Sequence, residues 1–115
     1  MLKKKNRVSD RKEIEELRRG EMIHQSPIFG LLMVDKKDEE KKFLFVVSKK
    51  ISKKAVERNR VRRVLSEVIR LNMDGIRSGV RLGFLVRRAI LEWKWEEIKK
   101  EVEKMLVGRG LMEKR

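Results

Sequence analysis

The chain has 115 residues, 43% of them charged, and its 32 Lys plus Arg against 18 Asp plus Glu leave a formal net charge of +14. That length holds a single domain, read here as residues 1–115, and so large a positive excess calls for a polyanionic partner, nucleic acid ahead of an acidic membrane surface. The absence of cysteine excludes disulfides and thiolate metal sites and points to the cytoplasm. No stretch approaches the roughly 18 apolar residues of a membrane span, so no membrane role is expected.

The start, MLKKKNRV, is basic and lacks the apolar run of a signal peptide. VSDRKEIEELRRGE then reads as a short first helix, capped by Ser9, with Asp10 in its first turn, Ile14 and Leu17 as a thin apolar stripe, and Gly20 closing it. It offers little to bury. MIHQSPIFGLLMVD reads as two strands broken at Ser26-Pro27, because proline is tolerated at a strand's beginning and not inside a central one. KKDEEKK, residues 36–42, reads as an exposed hairpin loop of solvated charge.

FLFVVS, residues 43–48, is almost wholly apolar, which predicts a central strand covered on both faces. Ser52 then caps a helix over residues 53–71, ended near Asn72 and the loop MDGIRSG. VRLGFLV, residues 80–86, puts Val80, Leu82, Phe84 and Val86 on one face of another strand. WKWEEIKKEVEKML spaces Trp95, Ile98, Val102, Met105 and Leu106 as one side of a last helix. Trp93 falls off that stripe and is read as a staple on Ile98, with Lys94 a poor cap, and residues 108–115 are read as a frayed tail.

The order helix-strand-strand-strand-helix-strand-helix predicts a small α+β domain with a mixed four-stranded sheet and three helices. The strands at 43–48 and 80–86, joined through a helix, are expected to be parallel neighbours.

Residues 57–70 carry five arginines on the same helix as a recurring apolar set. At 100° per residue from Arg58, the residues Val61, Val64, Leu65, Val68 and Leu71 fall between about 220° and 340°, a core face. Arg58, Asn59, Arg62, Arg63 and Arg70 fall between 0° and about 140°, with Arg60 near 200°. A dense like-charged face costs stability unless an anion discharges it. Arginine's forked donors suit phosphate oxygens. Upstream, SKKISKK adds Ser48, Lys49, Lys50, Lys53 and Lys54 at the helix entrance, so residues 49–63 hold eight cations against one acid. Asn59 has two roles open to it, bonding a base or sugar or orienting its arginine neighbours.

No catalytic constellation is visible. His24 is the sole histidine, which defeats metal clusters and a Ser-His-Asp arrangement on inventory, and a lone histidine in an apolar strand is more often structural.

VVSKKISKKAVERNRVRRVLSEVIR, residues 46–70, resembles the signature of the bacterial ribonuclease P protein component: a strand ending in Ser-Lys-Lys that leads into a helix bearing Arg-Asn-Arg. KKNRVSDRKEIEELRRGE resembles that family's opening helix, and GFLVRRAILEWKWEEIKKEVEKML its last strand and helix. The resemblance implies a basic subunit of ribonuclease P that binds the catalytic RNA and the 5′ leader of precursor tRNA and assists removal of the leader. In that family the chemistry belongs to Mg2+ bound by the RNA, no further protein partner is required, and the strand-helix-strand crossover is left-handed, against the usual rule. Carried over residue by residue, RNA contact falls to Ser48, Lys49, Lys50, Lys53, Lys54, Arg58, Asn59, Arg60, Arg62, Arg63 and Arg70. The leader cleft falls to Ile14, Phe29, Phe45 and Arg87. Where the family commonly has an aromatic on the first helix this chain has Ile14, and each phenylalanine reads more readily as core than as platform. The alternatives are a ribosomal or RNA-assembly protein with no role in cleavage, and a DNA-binding regulator, against which the strand-like FLFVVS before the basic helix argues.

Overall fold

The computed structural model describes residues 2–113. In chain order it gives α1 (Arg11–Arg18), β1 (Glu21–Gln25), β2 (Phe29–Asp35), β3 (Lys42–Val46), α2 (Ala55–Asn72), β4 (Val80–Val86) and α3 (Trp95–Gly108), with 3-10 turns at Lys4–Asn6, Met73–Gly75 and Arg88–Glu92. This is the expected α+β arrangement of four strands and three helices.

The sheet order is β1-β2-β4-β3. β4 pairs antiparallel with β2, Leu31 opposite Phe84, and parallel with β3, Phe45 opposite Phe84. Its alternation explains its central place. Val80, Leu82 and Phe84 are wholly buried and share the main core with Val61, Leu65, Val68 and Ile69 of α2 and Ile98, Val102, Met105 and Leu106 of α3. The Phe84 ring stands 5.1 Å from Phe29, edge to face, and 5.3 Å from Phe45. On the other side of β4 comes α1. A side chain at Gly83 would begin 3.1 Å from Leu17 Cδ2, so the glycine lets the helix seat directly on the sheet. Leu17, 1% exposed, forms a second, smaller core with Val8 and Leu32.

Several expectations need correction. The strand 43–48 is an edge of the sheet and not its centre, because β4 inserts between β2 and β3. For the same reason residues 36–42 are not a hairpin. The outer edge of β3 is closed by the N-terminal segment: Arg7 bridges to Phe43, the Val8 N–H donates to the Phe43 carbonyl at 3.0 Å, and Leu2 lies in the main core. The first helix buries Leu17 fully, and its cap is Asp10, not Ser9: the Asp10 carboxylate accepts from the Lys12 N–H at 2.9 Å and complements the positive helix end. Gly20 has no left-handed φ. It is required by proximity, since a Cβ there would sit 2.7 Å from the Met33 carbonyl oxygen.

Ser52 is likewise not the cap of α2, which starts at Ala55 after Lys54. Its hydroxyl accepts from the Lys54 N–H and donates to Glu57, bracing the turn that leads into the helix. Within α2, Leu71 is 45% exposed and Ile69 fully buried, so the buried arc is rotated toward the side on which the wheel puts the arginines. Lys94 occupies the position before α3 and, as expected, its side chain caps nothing; Glu97 closes the helix start instead, its carboxylate accepting from the Lys94 N–H at 2.9 Å. The tail is docked: Leu111 and Met112 are buried, Met112 bridges to Ile76, and the Arg77 N–H donates to the Leu111 carbonyl at 2.8 Å. Lys114 and Arg115 lie outside the described residues.

The charge run 36–42 also does more than face solvent. Arg81 points from β4 to the α1 side, 5% exposed, and its guanidinium donates to both oxygens of Asp38, at 3.1 and 2.7 Å, and to Glu40 at 3.2 Å. Glu13 of α1 stands 3.9 Å away and bonds Lys42. An arginine that sheds its water here is stable only because these acids come to it. His24 has a structural place as well, accepting from Arg109 Nε at 3.1 Å and so tying β1 to the end of α3.

Two outcomes follow. Leu111→Ala should cost about 2–4 kcal/mol in urea unfolding, the range for truncating a buried leucine, where a frayed tail would cost nothing. The hydrogen bond from Arg81 lowers the Asp38 pKa from 3.8 to about 2, so Asp38 adds stability above its ordinary pKa and loses it as pH falls toward 2. Asp38→Asn should therefore lower the thermal midpoint at pH 7 and match the parent near the acid end of that window.

Candidate nucleic-acid interface

The apolar side of α2 fixes where its cations go. Val61, Leu65, Val68 and Ile69 are buried against the sheet and α3, so residues 100° to 200° from Arg58 must project into solvent. Asn59, Arg60, Arg63 and Arg70 lie there and are exposed. So is Val56, at 76% exposure the most open large apolar side chain among the described residues.

The arginines then separate by what holds them. Arg58 and Arg62 are half-buried. Arg58 donates through Nη1 to the Ser52 carbonyl at 2.8 Å, and Arg62 through Nη2 to the Val47 carbonyl at 3.2 Å. These two lace the strand exit and the turn before α2 to the helix itself. Arg62 also donates to Asn59 Oδ1 at 3.0 Å, so Asn59 orients an arginine neighbour and keeps its amide hydrogens for a ligand. Arg70 is paired with Glu67, whose carboxyl it holds below the usual range, and it stands roughly 15 Å along the helix from Arg60. Among the described residues, no carboxylate pairs with Arg60, Arg63, Lys49, Lys50, Lys53 or Lys54.

The lysines arrive at the same place through the turn. Ser48 to Ser52 fold back on themselves, with the Ile51 N–H bonded to the Ser48 carbonyl at 3.0 Å and Ile51 inserted into the main core. That anchor leaves Lys49 and Lys50 on one side of it and Lys53 and Lys54 on the other, all four exposed. Of the residues expected at the interface, then, Ser48, Lys49, Lys50, Lys53, Lys54, Asn59, Arg60 and Arg63 are exposed, and the four lysines line one concavity at the entrance of α2. Arg58 and Arg62 support it, and Arg70 stands apart.

The four residues expected in a leader cleft are not brought together. Phe29 is 0% exposed beneath the helices, and Phe45 faces the same side against Phe84. Ile14 lies across the sheet, half-buried on the α1 side. The reason is strand alternation: the register that pairs Phe45 with Phe84 and Phe29 with Val86 points both rings into the main core. Arg87 closes the end of the sheet, donating to the Ser26 carbonyl at 2.7 Å and to Gln25 Oε1 at 2.6 Å.

What stands open beside α1 is aliphatic. Leu44 pairs with Gly83, Val46 with Leu85 and Leu85 with Gly30, so these residues share the α1 face of the sheet. Leu44, Val46 and Leu85 are half-buried, and Met22, 40% exposed, lies over Gly30 with Arg87 close by. The same alternation that marks Val80, Leu82 and Phe84 as core marks this opposite set, which a search for aromatics passes over.

The sequence matches the family model described as Ribonuclease P over residues 2–108. A ribonuclease P protein component of Synechococcus sp. is 37% identical over 67 residues, 58% of this chain, and the chain spans 50% of that relative's length. The ribonuclease P protein component of Bacillus mycoides is 33% identical over 114 residues, covering 96% of both chains. The Staphylococcus aureus RNase P protein superposes with a TM-score of 0.81 at 18% identity, covering 92% of this chain and 96% of that one, a likeness of fold. A match to the family model along almost the whole chain, joined to end-to-end similarity with the Bacillus relative, shows that the chain belongs to the ribonuclease P protein component family.

Proposed function

We propose that this chain is the accessory protein subunit of ribonuclease P, binding the catalytic RNA through the open cationic surface at the entrance of α2 and assisting removal of the 5′ leader from precursor tRNA. The observation that carries this reading is that Lys49, Lys50, Lys53, Lys54, Arg60 and Arg63, within fifteen residues of chain, are all exposed and, among the described residues, have no carboxylate partner. Phosphates supply the missing counter-charge, and the arginine forks give the grip direction.

In this reading the protein contributes electrostatics and positioning, and the RNA contributes the reaction. Two phosphate chains brought together repel, and Mg2+ held by RNA offsets part of that repulsion. In this reading the metal belongs to the RNA, as the family resemblance implies. The protein's fixed cations supply the rest, so its effect is largest when magnesium is scarce. The aliphatic face of Leu44, Val46, Leu85 and Met22 beside α1 is the surface on which a single-stranded leader rests, with Arg87 at its end. Contact there is apolar and insensitive to base identity.

Reconstitution with a bacterial ribonuclease P RNA at low magnesium tests the whole reading: leader cleavage is stimulated by the chain, whereas an RNA-assembly protein binds without stimulating. If on the order of six phosphates are contacted, affinity falls by about three decades between 50 and 200 mM salt. The paired change Arg60→Ala with Arg63→Ala should weaken RNA binding at least tenfold, flatten that salt dependence, and leave the thermal midpoint within about 2 °C of the parent. Arg58→Ala should lower the thermal midpoint as well, because it breaks the bond to the Ser52 carbonyl.

A further inference from the structure

One further cation meets the surface at the α2 entrance from outside the motif. Arg88 opens the 3-10 turn Arg88–Glu92, which follows β4. With Lys49, Lys50, Lys53 and Lys54 it rims a concavity of about 320 Å³ lined on its apolar side by Ile51 and Leu91. The two neighbouring arginines have opposite fates. Arg87 spends its guanidinium on Ser26 and Gln25. Arg88 is exposed and, among the described residues, makes no side-chain hydrogen bond or ion pair. The one carboxylate lining the concavity, Glu57, is bonded by the Ser52 hydroxyl.

Five cations around one hollow repel each other, an arrangement that an anionic occupant relieves. A bare phosphate would leave the half-buried Leu91 uncovered. A stacked duplex turns its bases inward and offers that side chain nothing. The occupant that satisfies both parts has a phosphate and an apolar face within one small unit. That describes a nucleotide turned out of its stack, the form in which proteins read RNA most directly. We propose that Arg88 and the Lys49–Lys54 turn form a pocket for a single unstacked RNA nucleotide, its phosphate gripped by the Arg88 fork and its base or ribose resting on Leu91.

The inference rests on the RNA-binding reading above, and the test separates the two. The parent chain, Arg88→Ala, Arg88→Lys and the Arg60→Ala, Arg63→Ala pair are each titrated with a bacterial ribonuclease P RNA across a salt series. Precursor tRNA is then titrated into the reconstituted complexes. Arg88→Ala should bind roughly tenfold more weakly and lower the salt slope by about one, with an unchanged thermal midpoint. Arg88→Lys should keep the slope and recover only part of the affinity, since the charge stays and the fork is lost. Chemical probing of the RNA should show one unpaired nucleotide that the parent protects and Arg88→Ala does not. A loss on the catalytic RNA assigns the nucleotide to it, and a loss confined to precursor tRNA assigns it to the leader. Parent-like affinity and slope for Arg88→Ala overturn the pocket alone if the Arg60, Arg63 pair is impaired; parent-like binding by all variants overturns the RNA-binding reading too.

Discussion

The seam between α2 and the sheet is the contact on which the cationic surface depends. Burying Val61, Leu65, Val68 and Ile69 contributes roughly 1.5–3 kcal/mol each as an upper bound. Repulsion between neighbouring exposed cations amounts to well under 1 kcal/mol per pair. The seam therefore wins by a wide margin, and the helix can hold Arg60 and Arg63 toward solvent with, among the described residues, no carboxylate paired to either. Arg58 and Arg62 strengthen that arrangement from the flank, because each bonds a carbonyl of the segment that delivers the lysines. One helix thus sets the position of a loop it does not contain.

The acids of the chain are distributed with the same economy. Asp38, Glu40 and Glu13 gather around Arg81 and Lys42 on the α1 side, where a nearly buried guanidinium would otherwise be stranded. Near the α2 entrance, Glu57 is engaged by Ser52 and Glu67 by Arg70. The formal charge of +14 is consequently uneven: one side of the sheet is locally compensated, and the helix entrance is left with most of its field. A net charge computed from composition gives the sign of the partner. Only the placement of the carboxylates gives the patch.

Much of this was legible before any coordinates. The two periodicities of α2, the alternation of β4, the helical stripe of α3 and the Ser-Lys-Lys to Arg-Asn-Arg spacing are all local patterns, and each describes what was found. The failures share a cause, which is that they depend on neighbours far away in the chain. FLFVVS reads as a central strand because it is apolar throughout. In the fold it is an edge because β4 inserts between it and β2, and residues 7–8 cover its outer side. Leu71 reads as core by its angle, yet Ile69 takes the inward position because α3 lies where the helix turns that side to it. KKDEEKK reads as solvated charge, and nothing local shows that Arg81, on a strand whose every other residue is apolar on that face or lacks a side chain, needs Asp38. Leu111 and Met112 follow two glycines and read as tail; their burial depends on the loop around Ile76.

The phenylalanines show the same dependence on packing. Stacking on an aromatic is worth roughly 1–3 kcal/mol per base, so aromatics are the natural residues to look for. Every phenylalanine of this chain but the half-buried Phe45 is fully enclosed, because a domain of 115 residues with no tyrosine has few other large side chains with which to fill its main core. The sheet's second face is left with Leu44, Val46, Leu85 and Met22, which offer area without stacking geometry. On the proposed reading, a single strand held there would gain contact for any base, and its retention would depend more on cations at the margins, Arg87 at the end of β4 among them. The cationic residues of this chain, eight of them between residues 49 and 63, would then carry more of the interaction with RNA than an aromatic platform would require of them.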